Sequence, residues 1–374
     1  MVNFFRKPLF DTPAWGLLIP LIAIGVLFAV MGSELSGFQL LLVFVALFSA
    51  VLMAVHHAEV IALRVGEPFG TLVLALAVTI IEVSLIVTLM LSGGEAISAL
   101  ARDTVFATVM IVCNGVIGLC LLLGAWRHRV LVFRVDGTTP TLSVLAVLST
   151  LVLVLPKFTS STSGATLTNT QLVFAGVVSL LLYVVFVFVL TIRHREYFLP
   201  PSVPGSPNSV EESQEGTVHA RPSILATVVS LVFLLVSLVA VVGLAKTLAP
   251  AIEAGVNAIS APMAVVGIAI AMLVLLPETL SAVRAAMRNR MQISFNLALG
   301  SALATIGLTI PAVAVTSLML DLPLELGLPY KEMSLLALTL LISTMTISRN
   351  SATVLQGAVH LVLFVVFLFL SIFP

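Results

Sequence analysis

The stretch Gly66-Glu67-Pro68-Phe69-Gly70-Thr71-Leu72-Val73-Leu74-Ala75-Leu76-Ala77-Val78-Thr79-Ile80-Ile81-Glu82-Val83-Ser84 decides the fold. From Phe69 it continues apolar to Leu91, long enough to cross a bilayer as a helix, yet it carries the carboxylate Glu82 near its middle. A second stretch, Ala261 to Arg284, does the same with Glu278. An ionised residue at the centre of a membrane helix costs roughly 2.5–3.5 kcal/mol on the insertion scale. Two such residues, one in each half of the chain, read as a route for cations or protons.

The rest of the composition agrees. The 374 residues are 60% hydrophobic and 9% charged, against about 25% charged in a soluble domain. The apolar runs are continuous and lack the alternation of a barrel strand, so the backbone has to be satisfied within helices. The chain therefore reads as an all-α polytopic membrane protein of about 11 transmembrane helices. The spans are M1 Trp15–Met31, M2 Gln39–Leu63, M3 Pro68–Leu91, M4 Asp103–Leu123, M5 Pro140–Leu155 and M6 Gln171–Ile192. After a polar segment come M7 Ser223–Leu244, M8 Ala261–Val283, M9 Ile293–Leu318, M10 Met333–Ile347 and M11 Val354–Phe373. Arg6 and Lys7 precede M1 with no small-residue cleavage site, so M1 reads as a retained helix. Cys113 and Cys120 fall inside M4 and read as small apolar packing residues.

Basic residues set the orientation. With the N-terminus on one side, that side receives thirteen Lys and Arg and the other receives Arg102, Lys157, Lys246 and Lys331, four in all. The basic side is cytoplasmic by the positive-inside rule, which puts the C-terminus outside. The segment Arg193–Arg221 holds Pro200-Pro201, Pro204, Gly205 and Pro207 and the cluster Glu211-Glu212-Ser-Gln-Glu215, the composition of a flexible cytoplasmic linker. It divides the chain into residues 1–36 (N-terminal segment and M1), a five-helix unit at 37–193, a linker at 194–221 and a second five-helix unit at 222–374. Five is odd, so the two units run in opposite senses, the inverted-repeat plan of many secondary transporters. Glu82 and Glu278 then occupy the second helix of their respective units.

A carboxylate in low dielectric is neutralised by a proton or by a bound cation. If the two helices cross, paired carboxylates hold a hard cation through oxygen and are costly when empty and doubly charged, a physical basis for exchange. Thr79 and Ser84 flank Glu82; Thr279 and Ser281 flank Glu278. M9 carries a polar stripe of Ser294, Asn296, Ser301, Thr305 and Thr309, and M4 offers Thr108 and Asn114. Hydroxyl and amide oxygens suit Na⁺ or Ca²⁺, with Asn296 the foremost of them; each alone also fits the common role of small polar residues that join membrane helices. Pro277 loosens the helix beside Glu278. His56, His57 and Glu59 end M2 on the cytoplasmic side and fit either a proton or cation gate or an interfacial cap. His360 in M11 has no charged neighbour on its helix and reads as a satisfied packing residue. Nucleotide, zinc-protease and nucleophile-elbow motifs are absent from the sequence, so an enzyme is not expected.

The strings His57-Ala-Glu59, Gly66-Glu67-Pro68-Phe-Gly70 and Ile81-Glu82-Val-Ser-Leu resemble the first repeat of the cation/proton exchanger branch of the calcium/cation antiporters. Leu276-Pro277-Glu278, followed by Asn296-Leu-Ala-Leu-Gly300-Ser301-Ala-Leu-Ala-Thr305, resembles the second repeat. The likeness covers essentially the whole chain and is nearest to bacterial sodium-potassium/proton and calcium/proton antiporters of the ChaA type. It implies an inner-membrane antiporter in which Glu82 and Glu278 alternate between cation and proton, with M3, M4, M8 and M9 as the ion-binding core. Glu59 matches an acidic residue on the cytoplasmic side of that core, and Asn296 falls where many calcium exchangers carry a glutamate. Val78-Thr79 and Val274-Leu275 replace the common Gly-Asn pair before each glutamate, which favours Na⁺ or K⁺ beside Ca²⁺. The implied partners are membrane lipid and inorganic cations, with self-association as a further option. The transported ions Ca²⁺, Na⁺, K⁺ and H⁺ are cargo, and neither a cofactor nor nucleic acid is expected. The rival readings are a passive cation channel, a proton-coupled carrier of small organic solutes and an intramembrane acid enzyme. The last is disfavoured because the embedded acids are Glu.

Overall fold

A computed structural model describes residues 8–9, 12–32, 36–66, 69–93, 98–162, 164–199, 222–258, 262 and 264–373. Arg6, Lys7, Glu67, Pro68, Ala261 and the linker residues 200–221 lie outside them. Eleven helices run through the described residues: α1 Ala14–Val30, α2 Gly37–Val65, α3 Phe69–Gly93, α4 Leu100–His128, α5 Val135–Lys157 and α6 Asn169–Arg193, then α7 Ile224–Ala258, α8 Ala264–Met287, α9 Met291–Leu320, α10 Tyr330–Ile347 and α11 Val354–Ile372. Each corresponds to one span expected from sequence, in order. Eight are long and apolar enough to cross a membrane; α1 and Leu76–Leu91 of α3 are apolar but shorter, and α10 opens on Lys331 and Glu332. The largest departure is α7, expected to stop at Leu244 but running on through Pro250 to Ala258. Proline is tolerated within membrane helices because neighbours re-satisfy the freed backbone groups.

Local chemistry starts several of these helices. Ser36 and Gln39, Thr168 and Gln171, and Thr353 and Gln356 form reciprocal capping boxes at the first turns of α2, α6 and α11. Gly66 ends α2 at φ 78°, a conformation that costs a residue with a Cβ, and its N–H bonds the Ala62 carbonyl at 2.9 Å. Outward faces are apolar, as lipid demands: Phe28, Phe174, Leu181 and Val365 are all exposed.

The chain packs as two compact units, Met1–Leu85 with Pro201–Ala251, and Ile86–Pro200 with Ile252–Pro374. In the first, α1 lies along α2, the His57 ring meets Phe233 of α7, and Gly243 of α7 lets Leu27 of α1 approach to within 2.4 Å of where a Cβ would stand. In the second, α4 lies against both α8 and α11, α9 against α8 and α5, and α6 against α9. Its helix ends sort onto two faces. The starts of α4, α8 and α10 and the end of α11 line one cavity, and Lys331 donates to the Leu370 carbonyl there. At the opposite face His128, ending α4, contacts the Met287 carbonyl, ending α8, and Leu131–Val132 pairs with Ser351–Ala352 before α11.

Candidate cation site

Glu82 lies on the buried stripe of α3 formed by Val78, Ile81, Leu85, Ile86 and Leu89, while Leu76, Ile80 and Leu91 face outward. Its side chain is 1% exposed. Helical periodicity therefore puts the carboxylate on the face turned from lipid, with Thr79, also buried, one turn before it.

Glu278 is half-buried on α8, directly after Pro277. Proline has no N–H, so the Leu273 carbonyl loses its regular helical donor next to the carboxylate. Thr279 Oγ1 donates to the Leu275 carbonyl at 2.7 Å, and Ser294 Oγ of α9 donates to the Ala282 carbonyl of α8 at 2.7 Å, fastening the two helices. Ser301 and Thr305 lie one turn apart on α9. Thr305 begins a π-turn, Thr305–Thr309, in mid-helix, and α4 has its own at Ile111–Val116. Such turns weaken regular backbone pairing and recur at functional sites.

Asn296 is engaged with protein. Its Nδ2 donates to the Phe198 carbonyl at 2.6 Å and its Oδ1 accepts from Gln292 Nε2 at 3.1 Å. Gln292 Oε1 in turn accepts from the Arg134 N–H at 2.8 Å. Asn296 thus ties the short helix Arg195–Phe198, which follows α6, to the N-terminal end of α9, leaving one oxygen lone pair for any ion. The two histidines of α2 divide: His57 is fully buried with Nε2 2.9 Å from the Gly16 carbonyl of α1, while His56 is half-buried against Trp15, ring centroids 4.9 Å apart. Glu59 is exposed. His57 is held between α1 and α7 by Gly16 and Phe233, and His56 and Glu59 are the more exposed members of that group.

Arg102, Asn114 and His360 were noted in the sequence, but their pairings escaped it. Arg102 is nearly buried, with Nε on Asp103 and Nη1 on Glu325, both at 2.8 Å, beside a cavity of about 290 Å³ also lined by Lys331 and Glu332. Asn114 and His360 meet in the interior of the second unit. In sequence these partners stand 223 and 246 residues apart, and helical periodicity carries no signal over such separations.

Residues 35–192 and 229–373 match the family model described as sodium/calcium exchanger protein. The chain is 45% identical over 97% of both chains to a putative ionic transporter, y4hA, of Sinorhizobium fredii. It is 33% identical over 94% of both chains to the sodium-potassium/proton antiporter ChaA of Escherichia coli. Among solved structures it resembles YfkE, with a TM-score of 0.70 at 15% identity over 96% of this chain and 100% of that one. It also resembles the H⁺/Ca²⁺ exchanger CAX, with a TM-score of 0.65 at 17% identity over 95% and 87%.

Proposed function

This chain belongs to the sodium/calcium exchanger protein family, and from that premise we propose that it is a secondary cation/proton antiporter. It exports Ca²⁺, Na⁺ or K⁺ from the cytoplasm in return for protons, and Glu82 and Glu278 carry the exchange. The observation that carries the reading is Glu82: a fully buried carboxylate on the inward face of an apolar helix in a chain of this family. Such a group is tolerated when neutralised, by a proton on one leg of the cycle and by a cation on the other. A carrier that is unstable with bare carboxylates reorients only when loaded, which couples the two fluxes. Thr79, Ser301 and Thr305 supply neutral oxygen ligands, and Glu59 with His56 forms the cytoplasmic approach. Asn296 contributes at most one lone pair and acts chiefly to hold the segment after α6.

The sodium-potassium/proton relative favours monovalent cations, as does the scarcity of acidic ligands near Glu82 and Glu278. The protein sits in the bacterial inner membrane with its N-terminus and linker in the cytoplasm, and the two five-helix halves are inverted repeats. Inside-out vesicles with an acid lumen and a pH dye test the function, with Ca²⁺, Na⁺ and K⁺ added separately. Dye recovery with Na⁺ or K⁺ is expected. Recovery with Ca²⁺ alone would make it a calcium exchanger, and no recovery with folded protein present would end the antiport reading.

A further inference from the structure

Inside the second unit, four side chains from three helices form one hydrogen-bonded chain. Thr346 Oγ1 of α10 lies 3.0 Å from His360 Nε2 of α11, and His360 Nδ1 lies 3.2 Å from Asn114 Oδ1 of α4. Asn114 Nδ2 donates to Thr339 Oγ1 of α10 at 2.8 Å, and Thr339 donates on to the Met110 sulfur at 3.4 Å. Asn114, His360 and Thr339 are fully buried. With its nitrogen on Thr339, Asn114 turns its oxygen to His360, so Nδ1 carries the hydrogen and Nε2 accepts from Thr346. An amide cannot pass a proton along by exchanging donor and acceptor, so this chain is a clamp and not a proton wire.

What it clamps is the π-turn Ile111–Val116, in which the Ile117 N–H reaches back five residues to the Val112 carbonyl. A π-turn inserts one residue into a helix and offsets the faces on either side by roughly 100°, the step of one residue in a helix of 3.6 per turn. Both ends of α4 are docked on α8. The Thr104 backbone stands 3.0 Å from where a Cβ on Gly267 would be, and His128 contacts the Met287 carbonyl. Around the clamp, α4 and α11 meet through glycine: a Cβ on Gly118 would stand 2.9 Å from that of His360, and one on Gly357 2.4 Å from the Leu122 nitrogen. A slip of the π-turn into regular helix would turn one docked half of α4 away from α8, the helix that carries Glu278.

We propose that His360, as its Nδ1–H tautomer, is a positioning residue for cation/proton exchange: through Asn114 it holds the π-turn of α4 and thereby the register of α4 against α8. The inference rests on the antiport reading above for its effect on rate, but not for its geometry. The test uses the full-length protein, reconstituted and labelled with 15N-histidine, with the His360 signals assigned by their loss in His360→Asn. The wild type is expected to show the Nδ1–H tautomer at His360; the Nε2–H tautomer would overturn the clamp whatever the flux of the variants. In flux assays, His360→Asn places an amide donor at the Nδ1 position and keeps the Asn114 bond, whereas His360→Gln keeps only the Thr346 contact. His360→Asn is expected to retain wild-type flux within about threefold. His360→Gln and Asn114→Leu are expected to slow maximal flux about tenfold with unchanged half-saturation and unchanged melting temperature. Equal flux in His360→Asn and His360→Gln would overturn the positioning role. Absent wild-type exchange would instead remove the antiport reading, with the tautomer still deciding the clamp.

Discussion

Glu82 and Glu278 were visible in the sequence because a carboxylate inside an apolar run has no structural convenience to recommend it. Replacing either with Gln keeps the size but removes the charge that, in the proposed cycle, changes between the two legs. Glu82→Gln and Glu278→Gln are each expected to abolish dye recovery in the vesicle assay while eluting as folded protein on size exclusion; normal transport by either variant would sink the central assignment. Other residues act by having no side chain. A Cβ at Gly357 would stand 2.4 Å from the Leu122 nitrogen and 2.8 Å from its Cα, both backbone atoms of α4 that cannot swing aside. Gly357→Ala is expected to lower stability by about 1–3 kcal/mol, the usual cost of overpacking, seen as a lower melting temperature in detergent. Asn296 shows what residue type alone leaves out: an amide on a polar stripe looks like an ion ligand, and Phe198 and Gln292 take up one of its two donor hydrogens and one of its two oxygen lone pairs.

At the scale of elements, each helix answers to an apolar run, eight of them long enough to cross a bilayer, and the observed ends fall within a few residues of most expected ones, the end of α7 excepted. Caps sharpen the ends. Thr168 Oγ1 accepts from the Gln171 N–H at 3.3 Å while Gln171 Oε1 accepts from the Thr168 N–H at 3.0 Å. Thr168→Ala is expected to cost about 1 kcal/mol in a thermal or denaturant melt and to leave transport unchanged, since the box sits at the start of α6 and touches neither glutamate. The π-turns of α4 and α9 were not legible. A π-turn is a one-residue excess that propensity scales do not register, and it persists only where tertiary partners hold it, as Asn114 does through Thr339 and His360.

At the scale of the molecule, sidedness is the property most exposed to test. Cys113 and Cys120 are buried, at 0% and 1% exposure, so a membrane-impermeant maleimide is expected to leave the wild type unlabelled. Ser213→Cys in the linker is expected to label only after the cells are permeabilised, and Phe158→Cys, at a 65%-exposed position after α5, in intact cells. The reverse pattern would invert the proposed orientation. The two faces of the second unit agree with the alternation of α4, α8, α10 and α11 that the distribution of Arg and Lys requires.

The sequence by itself determined the membrane class and the number and order of the helices, and it singled out Glu82 and Glu278 as carboxylates inside apolar runs. These depend on the transfer cost of single residues and on runs of about 20, both readable along the chain. Only the tertiary structure decided which polar residues are spoken for. Arg102 with Glu325, Asn296 with Phe198 and Asn114 with His360 are pairs of 223, 98 and 246 residues' separation. Whether a buried polar group is free to meet an ion or is already satisfied depends on partners brought in from distant helices, and periodicity within one helix cannot report that.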